Sequence, residues 1–252
     1  RTYEAGPFMS EFSSWGPTHD LKLKPEITAH GGEITSTVPG GYGEQSGTSM
    51  ATPNMAGFMA LVRSYIKNDR ADLVTTDGEI DYVKVNRLAM QLTMSTAGTV
   101  YDQDGLPYSP RKQGAGVAKL NNVISGTSAY LWTDFKDGEG QVLNDYRPKI
   151  ELGDNLDKTL DEEGYVTLTF KVTNFGDGKL TFNTQHLVMT ETLASDGLAV
   201  AEQAHMLEQT ETYWTVDNAA VEDGKIEVGA GETKTVRVRM TLGTADRQYI
   251  EN

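Results

Sequence analysis

The chain has 252 residues, enough for one large domain or two medium ones, and its 38% hydrophobic content is that of a globular protein. Its net charge of -14 disfavours nucleic acids and anionic lipids as partners, and the absence of cysteine excludes disulfides, thiolate metal sites and cysteine catalysis. No stretch approaches the run of about 18 to 20 apolar residues that spans a bilayer. We therefore expect neither a nucleic-acid partner nor a membrane span in this chain.

The first half of the chain predicts a mixed α/β fold. Short β-type runs lie within 26–38, and the glycine-rich tract 39–43 predicts a loop. Residues 50–67, MATPNMAGFMALVRSYIK, predict a helix with apolar residues all round and small residues that allow neighbouring backbones to approach. Such a helix is expected to be buried. A second helix is predicted over 82–93, where apolar residues recur at helical spacing.

From about residue 131 the pattern becomes that of β-strands. Residues 165–172 alternate with period two, and the cluster NFGDGK (174–179) predicts a turn before the alternation resumes. Near the end, two strands are predicted on either side of the glycine loop GAGET (229–233). Short strands with turn signals and no strong helix favour a β-sandwich, with the boundary between the two parts within 128–148.

The segment YGEQSGTSMATPNMAG (42–57) contains the candidate chemistry. A serine hydroxyl becomes a useful nucleophile when a base removes its proton and an oxyanion site lies beside it. Gly47 permits a tight backbone approach, and Ser49 lies at the N-terminus of the predicted helix, where N–H groups face developing negative charge. The tetrapeptide SGTS alone is uninformative, because it recurs at 125–128 without a following helix.

Four strings resemble landmarks of the subtilisin-like serine proteases, peptidase family S8. SGTSMATP (46–53) resembles the nucleophile motif, and FSSWGP (12–17) and KPEITAHGGEI (24–34) resemble two earlier landmarks in the same order and spacing. SPRKQGAGVAKLNNVI (109–124) resembles the segment that closes the catalytic domain in the large cell-envelope group, which includes the lactocepins and C5a peptidases. In that group a fibronectin-type sandwich follows directly.

This resemblance implies a fold and a set of roles. Residues 1–130 would be the α/β C-terminal part of a subtilase catalytic domain, and residues 131–252 an all-β fibronectin-III-like sandwich. Ser49 would be the nucleophile and its backbone N–H an oxyanion donor, supported by Gly47 and by the hydroxyl of Thr48. The whole enzyme would be an endopeptidase that acts on protein or peptide substrates and requires no cofactor.

The remaining members of the catalytic triad are not found in this sequence. In the family the Asp and the His precede the nucleophile, and no string like HGTHVAG occurs here. We therefore expect both to lie in the upstream half of the same protease, and this segment alone to be inactive. His30 lies 19 residues before Ser49, where the family usually has Pro or a small residue, and we interpret it as a structural or surface histidine and not as a catalytic one. His19, His186 and His205 are interpreted as solvated or as part of the β region.

Metal binding and location are weakly indicated. YDQDG (101–105) is similar to the start of a calcium loop but lacks the closing Glu, so calcium is possible without a specific motif and no metal ligand is assigned. The acidic clusters at 134–139 and 161–163 are interpreted as solvated loop faces. The family resemblance implies a secreted or bacterial cell-surface protein. The alternative is a non-catalytic binding or spacer fragment of a surface protein or a pseudoprotease.

Overall fold

The chain forms two compact units, Arg1–Thr127 and Ser128–Asn252. The structure, a computed structural model, describes residues 8–136, 139–152, 160–193, 195 and 199–247. In these ranges no helix is both long and apolar enough to cross a membrane. The first unit contains helices and short hairpins, and the second unit is rich in antiparallel strands. The predicted fold class, a mixed α/β part followed by an all-β part, is confirmed.

The first unit contains four strands and three helices within residues 8–127. In chain order these are β1 Ile34–Val38, β2 Gly41–Gln45, α1 Thr48–Asp69, β3 Thr75–Thr76, β4 Glu79–Ile80, α2 Tyr82–Ser95 and α3 Pro110–Gln113. A 3-10 turn spans Ala71–Leu73 and a π-helical turn spans Asn122–Gly126. Both predicted helices are confirmed. The loop predicted over 39–43 is too long, because Val38 pairs with Gly41 and the tract continues as β2. Gly40, with φ +89°, allows the chain to reverse within two residues.

Helix α2 forms the buried centre of the first unit. Its apolar residues at helical spacing, Val85, Leu88, Ala89 and Leu92, are all buried. Asp81 caps the helix, and its carboxylate accepts the backbone N–H groups of Lys84 and Val83 at 3.2 and 2.9 Å. These N–H groups lower the pKa of Asp81, because they stabilise the ionised carboxylate.

Helix α1 is buried only in its C-terminal half. Val62 and Ile66 are fully buried, whereas Ala56, Gly57 and Ala60 are exposed and Leu61 is 54% exposed. The prediction of a helix buried all round is therefore wrong. Small and apolar residues on every side indicate that any side of the helix could be covered, but they do not determine which sides are. In the described residues, α2, the 3-10 turn and the π-helical turn pack only against part of α1.

The second unit contains nine strands and a short helix in its described residues. These are β5 Ala129–Trp132, β6 Val166–Asn174, β7 Leu180–Asn183, β8 Met189–Leu193, β9 Ala199–Met206, β10 Glu211–Val216, β11 Ala219–Ala220, β12 Lys225–Val228, β13 Thr233–Thr241 and α4 Thr244–Arg247. A five-stranded antiparallel sheet has the order β11-β10-β13-β6-β5, and two further pairs are β7 with β12 and β8 with β9. A 3-10 turn spans Leu143–Tyr146.

The core of this unit lies between the five-stranded sheet and the β7–β12 pair. Val172 of β6, Val236 and Val238 of β13, and Ile226 and Val228 of β12 form one buried cluster. The predicted strands on both sides of the glycine loop 229–233 are confirmed. They lie in different sheets, since β12 pairs with β7 and β13 pairs with β6 and β10. The loop therefore carries the chain across the core.

Asn174, at the end of β6, joins the two sheets through its side-chain amide. The residue is fully buried, and its Nδ2 donates to the carbonyl oxygens of Val228 and Gly229 at 3.1 and 3.0 Å. Its Oδ1 accepts from the hydroxyl of Ser128 at 3.1 Å and the N–H of Gly176 at 3.0 Å. One side chain of β6 thus forms hydrogen bonds with the end of β12 and with Ser128 at the start of the unit.

Replacing this amide should destabilise the second unit. We expect Asn174→Ala to lower the free energy of unfolding by about 2–4 kcal/mol, because several buried carbonyl groups lose their donor. Urea unfolding of the 252-residue chain, followed by tryptophan fluorescence, measures the effect. Asn183→Ala, at an exposed position in β7, is the matched control and should change stability by less than about 0.5 kcal/mol. An unchanged midpoint for Asn174→Ala would contradict this account of the sheet junction.

Several carboxylates of the second unit are held in their ionised form. The Lys171 ammonium lowers the pKa of Asp134, and the backbone N–H of Thr235 lowers that of Asp217. The N–H of Tyr165 lowers the pKa of Asp161. The folded-state pKa of each of these carboxyl groups lies below the ordinary value of 3.8. The groups therefore stabilise the fold at a pH above 3.8. This stabilisation is lost as the pH falls through the folded-state pKa.

The unfolding free energy should therefore fall as the pH is lowered from about 5 to about 2. Asp217→Asn should flatten this dependence, because the group no longer titrates. Asp177→Asn is the control, since the Asp177 side chain makes no hydrogen bond or ion pair with a described residue. Urea unfolding at a series of pH values tests this, and equal pH dependence in wild type and Asp217→Asn would show that Asp217 does not contribute.

Candidate active site

The β1–β2 hairpin leads directly into the first turn of α1. Strand β2 ends at Gln45 and α1 begins at Thr48, so only Ser46 and Gly47 separate them. The hydroxyl of Ser46 accepts the backbone N–H of Glu33 at 2.8 Å. The short connection is therefore fixed to the residue that precedes β1, and the position of the hairpin determines where α1 begins.

Two glycines allow a close main-chain approach at this turn. The N–H of Gly47 donates to the carbonyl oxygen of Gly31 at 2.8 Å. A Cβ on Gly31 would lie 2.6 Å from the carbonyl oxygen of Gly47, closer than real Cβ atoms approach, and 3.0 Å from the Cβ of Ala51. Gly47 itself has φ +152°, a conformation that L side chains rarely adopt. Glycine is therefore required at both positions.

The segment before Gly31 is held by residues 113–118. Thr28 donates its N–H to the carbonyl of Gly116 and its hydroxyl to the carbonyl of Gln113, both at 2.9 Å, and accepts the N–H of Ala118 at 2.9 Å. The buried side chain of Gln113 accepts the N–H of Val100 at 2.7 Å. This network links the C-terminal part of the unit to the turn before α1.

The four strings that the sequence singles out meet in the structure. The N–H of Gly16, in FSSWGP, donates to the carbonyl of Arg111, in SPRKQGAG, at 2.8 Å. The N–H of Ala115 donates to the carbonyl of Glu26, in KPEITAHGGEI, at 2.9 Å. The contact of Gly31 with Gly47 then joins this string to SGTSMATP. Strings that are far apart in sequence thus form one support for the start of α1.

Ser49 is the second residue of α1 and is exposed. Its hydroxyl makes no hydrogen bond with a described residue. The N–H groups of Met50 and Ala51 donate to the carbonyl of Gly47 at 3.0 and 3.3 Å, whereas those of Thr48 and Ser49 donate to no described acceptor. The first turn carries no acidic residue, so the positive end of the helix dipole is not neutralised there. The arrangement can present a nucleophilic hydroxyl beside free N–H donors.

No histidine is paired with Ser49 in the described part of the chain. His30 is exposed and shares no hydrogen bond with Ser49. His19 is exposed in a turn, and His186 Nδ1 lies 3.3 Å from the hydroxyl of Thr212 in the second unit. His205 lies in β9 of the same unit. The described residues thus supply a candidate nucleophile and oxyanion donors without a base for it.

The candidate calcium loop is closed by its own backbone. Asp102 Oδ1 accepts the N–H groups of Asp104 and Leu106 at 3.0 and 2.8 Å, so this carboxylate already satisfies the turn. Across the described ranges, no group of three or more His, Asp or Glu side chains is placed to hold a metal ion.

Side chains of both acidic clusters form ion pairs with Lys or Arg. Lys171 pairs with Asp134 at 2.5 Å, and Arg239 pairs with both Asp161 at 2.7 Å and Glu163 at 2.5 Å. Within 134–139, residues 137–138 lie outside the described residues. The interpretation of these clusters as purely solvated faces is therefore incomplete, because each also links a loop to a strand.

Comparison with known proteins identifies both parts of the chain. Residues 4–116 match the subtilase family (Peptidase S8), and residues 155–251 match an Fn3-like domain. The chain is 35% identical over 181 residues to a C5a peptidase of Streptococcus pyogenes serotype M1, covering 70% of this chain and 14% of that protein. It is 30% identical over 251 residues to a PI-type proteinase of Lactococcus lactis subsp. cremoris and to a PII-type proteinase of Lacticaseibacillus paracasei, covering 96% of this chain and 12% of each. The chain thus spans between 12% and 14% of the length of these relatives.

Sequence reasoning did not assign roles to Gly31 and Gln113. The AHGG and QGAG strings contained a usable signal, since glycines without a turn pattern often mark close backbone approach. What they approach became visible only in the folded chain.

The contact of Gly31 with Gly47 predicts a sharp difference between two Gly→Ala substitutions. Gly31→Ala should lower the free energy of unfolding by about 1–3 kcal/mol, because the new Cβ overlaps backbone atoms. Gly57→Ala lies on the exposed face of α1, where an added Cβ would meet nothing within 4 Å, and should be neutral or stabilise by up to about 1 kcal/mol. Thermal and urea unfolding measure both. Equal stability of the two variants would contradict the close approach.

Proposed function

Because residues 4–116 belong to the subtilase family and residues 155–251 form an Fn3-like domain, we propose that this chain is a segment of a serine endopeptidase whose nucleophile is Ser49. The observation that carries the proposal is the position of Ser49 in the first turn of α1, where its hydroxyl is free and the N–H groups of Thr48 and Ser49 have no described acceptor. The close approach of Gly31 to Gly47 supports this position.

The proposed reaction is acyl transfer from a peptide to Ser49 and then to water. Ser49 Oγ attacks the scissile carbonyl carbon while a base takes its proton, and the carbonyl oxygen becomes an oxyanion. The N–H of Ser49 donates to this oxyanion, and the hydroxyl of Thr48 is a second donor. The tetrahedral intermediate releases the amine, which receives the proton from the base. Water activated by the same base then hydrolyses the acyl-enzyme.

The base and the residue that orients it come, in this proposal, from the upstream half of the same protease. The absence of a histidine partner for Ser49 among the described residues supports this assignment, and it implies that the segment alone is inactive. The substrates are proteins or peptides, and the location is extracellular, either secreted or on a bacterial surface. The catalytic part covers 1–130 and the sandwich 131–252, while the compact units divide at Thr127 and Ser128.

A second candidate is a non-catalytic binding or spacer segment of a surface protein. The observation that favours it is the same lack of a base beside Ser49 in the described ranges. The two functions differ in one property. A protease segment becomes reactive at Ser49 when the rest of the protein is present, whereas a spacer segment stays unreactive in every context.

A fluorophosphonate probe distinguishes the two functions. The full-length protein should form one adduct and cleave peptides, and Ser49→Ala should lose both, by a factor of at least about 1000 in peptide cleavage. The 252-residue segment alone should form no adduct. Intact-mass spectrometry measures the adduct.

Ser125→Ala is the matched control, because it removes the first serine of the second SGTS tetrapeptide. Ser125 is exposed and its hydroxyl donates only to the carbonyl of Asn121 in the described residues. This variant should retain full labelling. Persistent labelling of the full-length Ser49→Ala protein would refute Ser49 as the nucleophile, and labelling of Ser49 in the segment alone would refute the upstream base.

A further inference from the structure

One face of the β1–β2 hairpin is fully exposed. In the antiparallel register Thr37 pairs with Tyr42 and Thr35 with Glu44, so these four side chains share one face. All four are exposed, and Tyr42 is 79% exposed. On the other face, the side chain of Val38 packs over Gly43, where an added Cβ would meet it at 3.2 Å. We call this the free face, because all four of its side chains are exposed, whereas the opposite face is a mixture of half-buried and exposed residues.

The free face combines an aromatic ring with a carboxylate. Tyr42 and Glu44 are two residues apart on β2, which places their Cα atoms about 6.6–6.8 Å apart with side chains on the same side. Among the described residues, Glu44 makes no ion pair and no side-chain hydrogen bond. A solvent-exposed ring of this size beside an unpaired carboxylate has the composition that binds an ammonium or guanidinium group, whose stem packs on the ring.

No Lys or Arg lies near the hairpin in the sequence. Between Lys24 and Arg63 there is no Lys or Arg, whereas Glu26, Glu33 and Glu44 all lie in this stretch. Glu26 pairs with Lys24, but Glu33 and Glu44 are exposed and are not paired with a described cation. Glu33 and Glu44 therefore leave two unpaired negative charges on and beside the hairpin, and such charges attract a cationic group.

Only Ser46 and Gly47 separate the strand that carries the free face from the helix that carries Ser49. Glu44 precedes Ser49 by five residues, and the connection is fixed by the hydrogen bond from the N–H of Glu33 to the hydroxyl of Ser46. The hydrogen bond from the N–H of Gly47 to the carbonyl oxygen of Gly31 fixes the same connection. A polypeptide that is bound at Ser49 and extends along β2 would pass the strand that carries Tyr42 and Glu44.

We propose that Tyr42 and Glu44 form a substrate subsite for a Lys or Arg side chain. The substrate class is then a polypeptide with a basic residue on the side of the scissile bond that faces the hairpin. The Glu44 carboxylate pairs with the cation, and the Tyr42 ring covers the aliphatic stem and the face of the cation. This subsite rests on the proposed protease function, since it selects substrates for Ser49.

The test uses the full-length protein and peptide pairs that differ only by Lys or Met, at each of three positions on either side of the scissile bond. For one position, kcat/KM for the Lys peptide should exceed that for the Met peptide by about three- to tenfold, and the ratio should fall as salt is raised. Glu44→Gln and Tyr42→Leu should each reduce this ratio toward one. Glu79→Gln, which removes an exposed carboxylate from the separate β3–β4 hairpin, should leave the ratio unchanged.

The outcomes separate the subsite from the protease function. Cleavage of the Met peptides without a preference for Lys at any position overturns the subsite alone. A Lys preference that persists in both Glu44→Gln and Tyr42→Leu also overturns it, because the cation then binds elsewhere. If wild type and Ser49→Ala fail equally on every peptide, the proposed function fails and the subsite fails with it.

Discussion

The carbonyl oxygen of Gly31 and the N–H of Gly47 meet at a distance that leaves no space for a Cβ on Gly31. This approach fixes the end of the β1–β2 hairpin against the start of α1, and it orients the first turn in which Ser49 lies. A shift of this turn would move the hydroxyl and its neighbouring N–H groups together. Their geometry is useful only if it is set before a substrate binds, because a preorganised donor costs no rearrangement during the reaction.

That approach is maintained from a distance along the chain. Thr28 is hydrogen-bonded to the segment that contains Gln113 and Gly116, and Gln113 is in turn bonded to the backbone at Val100. A Cβ on Gly116 would lie 2.3 Å from the carbonyl oxygen of Gly98, so a second glycine contact supports the first. In the second unit a polar side chain joins two sheets: Asn174 of β6 donates its amide to the carbonyl groups of Val228, in β12, and of the adjacent Gly229.

Periodicity was enough to predict the elements that bury one face. The spacing of Val85 and Leu88 defines α2, and the alternation through Val172 defines β6, because each pattern expresses a single buried side. It failed where the outcome depends on tertiary partners. Helix α1 has small and apolar residues all round, but only Val62 and Ile66 are fully buried, while Ala56, Gly57 and Ala60 are exposed. The motif that contains Ser49 could be identified from residues alone, whereas its support by Gly31 required the folded chain.

The two halves of α1 have different roles: the C-terminal half is buried in the unit, and the N-terminal half carries the candidate nucleophile. The C-terminal half is anchored by Val62 and Ile66, and this anchoring allows the N-terminal half to remain exposed with Ser49 unpaired. The exposed face at Ala56, Gly57 and Ala60 has side chains short enough for another main chain to approach the helix closely. In the proposed mechanism a base from the upstream half must come within hydrogen-bonding distance of Ser49 Oγ. In that mechanism the buried half of α1 holds the position of the nucleophile. The exposed small residues leave room for the segment that brings the base, because they carry no long side chains.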